Sequence, residues 1–275
     1  LHVGALNSVL AKLAAYPRRL ADVGDRYVST EMWHETMQQH DGTISRRPVG
    51  DNGFVSSPED WVLSGPHFFV ANPFYKTPRN LCINPRAYDP LDLEAILDNY
   101  LPRTNYRPMA DRAEYGLRTP KVNFIGSGGA TGRSVTEFFR LAFRAMLSNS
   151  AERTLICALI PRGAAHINGV QTAAFKDVSQ LLMAANVCSS LLADWYIKSM
   201  GRSNLHATWL QLPVIEVTPQ LVSRYLSLNC LSFHFAPLWS EVFVPAFTQQ
   251  SWSQPANQLL PQEFFTQLTP EWQRH

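Results

Sequence analysis

The sequence predicts a mixed α/β (α+β) fold with short strands, two long helices and helical flanks. Its 275 residues are 45% hydrophobic and 17% charged, which supplies enough apolar material for one large domain or two modest ones. Two apolar runs of strand length stop at turn residues, and two longer segments repeat apolar residues at helical spacing. We expect these four segments to form the scaffold, joined by loops rich in Gly and Pro.

The first part of the chain predicts helix, then loop, then strand. Residues 1–40 have helical periodicity, whereas residues 41–66 contain four glycines and three prolines and predict a loop. The apolar run from Phe68 to Tyr75, HFFVANPFY with the preceding His67, predicts a strand. Residues 76–120 look irregular, apart from a helical segment at residues 89–100, DPLDLEAILDNY.

The second half contains the two long predicted helices. Residues 132–149 repeat apolar side chains at spacings of three and four and predict the first. TLICALI and GVQTAAFK predict strands, and the first of them is stopped by Pro161. Residues 177–200 predict the second long helix, which Gly201 ends. LHATWLQLPVI predicts a strand or a short turn, and helix resumes after it.

Several classes of protein do not fit this composition. No apolar run reaches the roughly 18 residues of a membrane span, so we expect no membrane association and a cytoplasmic protein. None of the four cysteines lies within four residues of another, so no zinc pattern is present. His34 and His40 are six residues apart and do not share a helical face, so we expect no metal site. A chain that opens on Leu1 and closes on TPEWQRH suggests a piece of a longer protein.

The net charge of +2 is unevenly distributed along the chain. Residues 101–215 hold 13 Lys and Arg against 6 Asp and Glu, and the remainder holds 11 against 16. A basic middle is what a nucleic-acid surface needs, because phosphate contacts supply most of the affinity. Chance clustering of surface arginines is the other explanation, and the sequence leaves both open.

Asn72-Pro73-Phe74-Tyr75 is one letter away from Asn-Pro-Pro-Tyr, the motif with which amino-methyltransferases hold a flipped adenine. The Gly-rich stretch FIGSGGATGR could then hold S-adenosylmethionine, but its place after the motif requires a circular permutation. Phe74 replaces the second proline, and no acidic ribose partner follows the Gly-rich stretch. Asn72 and Tyr75 are therefore catalytic residues only in an alternative interpretation, and a strand end beside a glycine loop is the simpler one.

The segment SSLLADWYIKSMGRSNLHATWLQLPVI, residues 189–215, is the most informative part of the sequence. It resembles the specificity region of type I and type IIG restriction–modification proteins, in which a helix leads through a Gly/Ser/Asn turn to a segment ending in Leu-Pro-Val. VLSGPHFFVANPFYKTPR, ERTLICALIPRGAAHINGV and LSLNCLSFHFAPLW extend the resemblance from about Met32 to Trp239. The chain thus resembles the C-terminal target-recognition region of a type IIG-like adenine-specific DNA methyltransferase.

This resemblance implies a sequence-specific DNA-recognition domain of a phage-defence methyltransferase, which positions the target base for an upstream catalytic domain of the same chain. Double-stranded DNA and that methyltransferase domain would be its partners. S-adenosylmethionine would bind in the parent protein and not in this fragment, which would have no catalytic residues. The resemblance leaves open whether the parent is also an endonuclease. The implied organisation is a helical connector at 1–40, the recognition domain at 41–215 and a C-terminal helical extension at 216–275.

Polar loops between the predicted elements supply the candidate DNA contacts, because such side chains read base edges or hold phosphates. The candidates are Thr131, Arg133, Arg162, His166, Asn168, Lys198, Arg202, Ser203 and Asn204. Two other classes stay open beside the recognition domain. One is the permuted adenine methyltransferase, and the other is a non-catalytic protein-docking module.

Overall fold

The computed structural model describes residues 3–69, 72–124, 132–254, 261 and 263–274, and within them the chain has an α+β fold, as predicted. Its α-helices are α1 Val3–Ala15, α2 Glu35–His40, α3 Arg112–Arg118, α4 Val178–Ser189, α5 Leu191–Ser199, α6 Pro219–Asn229 and α7 Ala236–Val242. Its strands are β1 Tyr27–Thr30, β2 Ile44–Arg46, β3 Val62–Leu63, β4 Lys76–Pro78, β5 Tyr88–Pro90, β6 Tyr106–Pro108, β7 Lys121–Val122, β8 Arg133–Ser134, β9 Arg140–Arg144, β10 Cys157–Ile160, β11 Ala165–His166 and β12 Val170–Phe175.

A four-stranded antiparallel sheet in the order β1-β12-β9-β10 forms the scaffold. Strand β9 is central, so Leu141, Ala142 and Phe143 are all fully buried. Residues alternate between the two faces of a strand, so Leu141 and Phe143 share one face of the sheet. Arg140, Ala142 and Arg144 share the other.

Each face of this sheet meets a different part of the chain. Helix α4 packs against β9, β10 and β12, and a large apolar core surrounds it. This core takes in Leu20 near the start of the chain and Leu268 near its end, so residues on both sides of positions 40 and 215 share it. A second, smaller core lies around β3, β11 and the indole of Trp33.

Four two-stranded sheets surround the main sheet. β3 and β11 pair in parallel, while β2–β6, β4–β5 and β7–β8 pair antiparallel. β2, β4, β5 and β6 therefore order parts of the segment that was expected to be a loop or irregular. Among the described residues, no helix is long and apolar enough to cross a membrane.

The predicted helix at residues 132–149 is wrong. This stretch contains β8, a 3₁₀ turn at Val135–Glu137 and then β9. The three-and-four spacing of its apolar residues is coincidental, because β9 is covered on both faces and so needs no alternation. The predicted strands TLICALI and GVQTAAFK are confirmed as β10 and β12.

Several other elements differ from the prediction in their bounds or in their type. The connector is not helical throughout, because Leu20–Arg26 is a 3₁₀ segment and β1 follows it. The second long helix divides at Ser190 into α4 and α5. Instead of a helix at 89–100, Asp89 and Pro90 end β5 and residues 91–100 form turns, and Thr208–Gln211 is a 3₁₀ turn. Val70 and Ala71, in the middle of the predicted strand at residues 68–75, lie outside the described residues. Phe69 and Asn72 form an isolated antiparallel bridge with each other, through backbone hydrogen bonds of 3.4 and 3.2 Å.

Candidate nucleic-acid interface

Three adjoining depressions form a groove across one side of the protein. The central one has a volume of about 330 Å³. It shares Arg46 and Asn105 with a neighbour of about 340 Å³, and it shares Tyr88 and Arg144 with another of about 380 Å³. We call them the central lobe, the Arg47 lobe and the Lys76 lobe, and together the arginine groove. Its basic lining residues are Arg46, Arg47, Lys76, Arg86, Arg144 and Arg153.

The acidic side chains that line the described groove are fewer. They are Glu35 in the central lobe and Glu152 in the Lys76 lobe. Arg153 is also paired, with the buried carboxylate of Asp194 at 3.4 Å. The excess of cations over anions nevertheless makes this groove attractive to a polyanion.

Strands and short turns position the side chains of the central lobe. Arg46 ends β2 and Arg144 ends β9, so both leave the ordered backbone of a strand. Asn168 lies in the turn between β11 and β12, where its Oδ1 accepts a hydrogen bond from the backbone N–H of Glu35 (2.8 Å). Asn105 immediately precedes β6 and donates to the hydroxyl of Tyr88 (3.1 Å). A rigid scaffold thus presents polar groups to the lobe.

Glu35, Arg46 and Tyr106 form a hydrogen-bonded cluster in the central lobe. The Tyr106 hydroxyl donates to Glu35 Oε1, and Arg46 lies 3.5 Å from the same oxygen. Burial, followed by the hydrogen bond to the Glu35 carboxylate, raises the pKa of Tyr106, so the phenol keeps its proton and remains a donor. This cluster engages one carboxylate oxygen of Glu35, which is the only acid among the described residues that line the central lobe.

Five of the predicted contact residues lie in or beside the groove. Asn168 lines the central lobe. The turn after α5 runs along Ala145–Leu147, because Leu147 N–H donates to Ser203 (2.9 Å) and Leu205 N–H donates to Ala145 (2.8 Å). Met146, opposite Asn204 in this pairing, lines the central lobe. The five residues are Asn168, Lys198, Arg202, Ser203 and Asn204.

The side chains of this turn differ in their exposure and in whether they already make hydrogen bonds within the protein. Arg202, Ser203 and Asn204 are exposed. The Lys198 amine already donates to the carbonyl of Ala151 (2.8 Å), a residue of the Lys76 lobe. The turn therefore adds one exposed guanidinium and two small polar groups to the rim.

Arg133 and Arg162 lie at the opposite end of β9 from this rim. Arg162 stacks over Phe139 and Arg133 stacks over Phe138, each with 4.6 Å between guanidinium carbon and ring centroid. Arg133 also pairs with Glu137 at 2.9 Å. Because a strand rises about 3.3 Å per residue, the five residues of β9 separate the two groups by roughly 13 Å or more. The structure does not bring the predicted contacts together at one surface.

His166 requires a correction. Its side chain is fully buried, with Nδ1 3.2 Å from the carbonyl of Ile167 and Nε2 3.1 Å from the hydroxyl of Thr172. Burial, reinforced by the charge of Arg140, lowers the pKa of His166 to about 3. A buried neutral imidazole cannot contact DNA in this conformation, so His166 leaves the candidate set. Thr131 and the preceding Gly-rich stretch 125–130 lie outside the described residues.

The sequence reasoning missed most of the groove. Of its six basic residues, only Arg144 and Arg153 belong to the basic segment 101–215. Three charges of that segment's excess are neutralised by acids from residues 41–60. The pairs are Arg107 with Asp51 at 2.7 Å, Arg118 with Asp41 at 3.5 Å, and Arg112 with Asp60. A signal for Arg144 did exist, because an Arg-x-Ala-x-Arg strand places both arginines on one face.

The side chain of Asn72 forms hydrogen bonds with the protein's own backbone. Its Oδ1 accepts a hydrogen bond from the backbone N–H of Phe74 (2.9 Å), and its Nδ2 donates to the carbonyl of Leu228 (3.2 Å). Tyr75 is half-buried and stacks on Phe69, with ring centroids 4.6 Å apart. Asn72 is buried and both ends of its amide already bond to the protein's own backbone, so this geometry does not favour the alternative catalytic interpretation.

In the described ranges, no group of three or more His, Cys, Asp or Glu side chains is arranged to hold a metal ion. Comparison with known proteins gives no match, either to a family model or to a curated protein.

Proposed function

We propose that this chain is the double-stranded-DNA recognition domain of a type IIG-like restriction–modification protein that methylates adenine N6. In this proposal it acts in the cytoplasm and positions the target base for a methyltransferase domain upstream in the same chain. S-adenosylmethionine binds to that upstream domain. The resemblance over residues 32–239 supports the class of protein, and the arginine groove supports the DNA surface.

The observation that carries the proposal is the presence of unneutralised cations in the groove. Among the described residues, the guanidinium groups of Arg86 and Arg144 have neither an ion pair nor a hydrogen bond. Most other arginines with exposed side chains are paired with acids. Phosphates of a duplex would supply anions to this groove, and the release of their counterions drives such binding.

Titration of a fluorescently labelled duplex with the full chain, repeated at increasing KCl, tests the proposal. We expect the logarithm of the binding constant to fall linearly with the logarithm of salt concentration, by about 0.9 per phosphate contacted. Arg86→Ala should shrink this slope by about one and weaken binding on all sequences. Arg26→Ala, which removes an exposed arginine paired with Asp177 at the other end of the sheet, should leave the slope unchanged.

Duplex binding without salt dependence, or none at 50 mM KCl, would contradict the proposal and favour a protein-docking module. Calorimetric titration with S-adenosylmethionine separates the remaining alternative. Micromolar binding of the cofactor by this chain would favour the permuted methyltransferase that uses Asn72 and Tyr75.

A further inference from the structure

Arg144 occupies a fixed position at the middle of the arginine groove. It ends β9, where its backbone N–H donates to Ile156 (3.0 Å) and its Cα lies opposite Val170 of β12. Its half-buried side chain lines both the central lobe and the Lys76 lobe. A side chain that leaves the end of a central strand has a well-defined origin, which is what reading a base edge demands.

The aliphatic stem of Arg144 passes close to two glycines. A Cβ built on Gly65 would lie 3.2 Å from the carbonyl oxygen of Gly169 and 3.9 Å from Cγ of Arg144. The two backbones are thus too close for a larger residue to enter without displacement. Glycine at position 65 therefore keeps open the space that the stem of Arg144 borders.

Hydrogen-bond donors outnumber acceptors among the uncommitted groups beside Arg144. The guanidinium has five N–H donors, and none is used within the described residues. Asn168 has its Oδ1 occupied by Glu35 N–H, so its Nδ2 is the group left over. Glu35 Oε1 is already engaged by Arg46 and Tyr106, which leaves Oε2 as the acceptor of this carboxylate. A ligand that enters between Arg144 and Asn168 therefore meets more donors than acceptors and is held best by acceptors of its own.

We propose that Arg144 reads a guanine of the recognised DNA sequence and is a specificity-determining residue. This inference rests on the proposed function. In the major groove guanine presents two neighbouring acceptors, N7 and O6, which match the two parallel N–H groups of a guanidinium. Adenine places a donor next to its N7, so it satisfies only one of the two. Asn168 Nδ2 provides a further donor at the same site.

Arg144→Lys separates this role from a phosphate contact. The substitution keeps the positive charge but replaces the planar fork by a single ammonium. A phosphate contact would largely survive it, whereas bidentate recognition of guanine would not. Arg144→Gln, which removes the charge and shortens the side chain but keeps a polar end, gives a second variant in case one substitution perturbs folding.

Selection of bound duplexes from a randomised pool, followed by sequencing, measures the effect. The wild-type chain should enrich a motif with at least one invariant guanine. We expect Arg144→Lys and Arg144→Gln to lose the preference at that position by roughly 10-fold or more while other positions persist. Arg26→Gln should reproduce the wild-type motif. Thermal melting of each variant checks that it is folded.

Retention of the same guanine preference in both Arg144 variants would overturn the inference and leave DNA binding intact. Absence of duplex binding by the wild-type chain would instead overturn the proposed function, and this inference with it. Duplex binding by the wild type without any enriched motif would also overturn the inference, because Arg144 would then have no base to read.

Discussion

The surroundings of single residues decide how Asn72-Pro73-Phe74-Tyr75 is to be interpreted. Phe74 is fully buried, where its ring stacks on Trp61 at 5.4 Å and meets the edge of Phe235 at 5.9 Å. The residue that breaks the methyltransferase motif is therefore part of the large apolar core. Tyr75, by contrast, packs against the exposed ring of Phe69.

This difference predicts unequal effects of two truncations. Phe74→Ala should lower the free energy of unfolding by about 3–5 kcal/mol, because it leaves a cavity beneath Trp61. Tyr75→Ala should cost only about 1 kcal/mol, the order of one aromatic pair. Urea unfolding monitored by tryptophan fluorescence measures both. A Phe74→Ala protein as stable as the wild type would show that this ring is not a core element.

At the scale of elements, sequence patterns identified which segments form the scaffold better than they identified whether each segment is a helix or a strand. The strands β10 and β12 are short apolar runs bounded by turn residues, and both were predicted. β9 was not, because it is only five residues long and the apolar residues in and around it fell on a helical spacing by chance. The paired strands β2–β6 and β4–β5 depend on partners 10 to 64 residues away, which local patterns do not encode.

In the candidate site too, the residues that were predicted are those next to a recognisable local pattern. The turn at 201–204 and Asn168 were predicted because each follows a recognisable element. Arg46, Lys76 and Arg86 were missed because they come from the segment without clear periodicity. The pairing of β2 with β6 and of β4 with β5 brings these three residues to one groove with Arg144.

Ser190 sets the boundary between α4 and α5. Its hydroxyl accepts a hydrogen bond from Ala193 N–H (3.1 Å), which caps the first turn of α5. Ser190→Ala should therefore cost about 1 kcal/mol in the free energy of unfolding. Ser199→Ala is the matched control, because that exposed hydroxyl only donates back to Tyr196 (2.7 Å) within the last turn of the same helix. Chemical denaturation of both variants checks the difference, and equal losses would rule out the capping role.

For the molecule as a whole, buried histidines couple stability to pH. Burial lowers the pKa of His67 to about 4 and, with Arg140, that of His166 to about 3. Both rings stay neutral in the folded protein, whereas they take up a proton below about pH 6.5 when it unfolds. Protonation thus favours the unfolded state, and stability falls as the pH drops from 6.5 towards the folded pKa values.

We expect the free energy of unfolding to decrease by about 2 kcal/mol for each of these two rings between pH 7 and pH 5. Urea unfolding at the two pH values measures the change, in a range above the titration of ordinary carboxylates. His166→Gln should remove about half of the decrease. A protein equally stable at both pH values would indicate that these rings are protonated in the folded state.

The pairing of β1 with β12 has a consequence for the order in which the protein can be made. Tyr27–Thr30 lies opposite Thr172–Phe175, so this edge of the sheet stays open until the ribosome has added about 145 further residues. During synthesis Tyr27–Thr30 must remain unpaired or be shielded while 41–124 emerges. A chain released before Val170 would lack β12, which is the partner of β1 and one of the two neighbours of β9. Premature termination in this region should therefore leave an unfolded fragment rather than a smaller working domain.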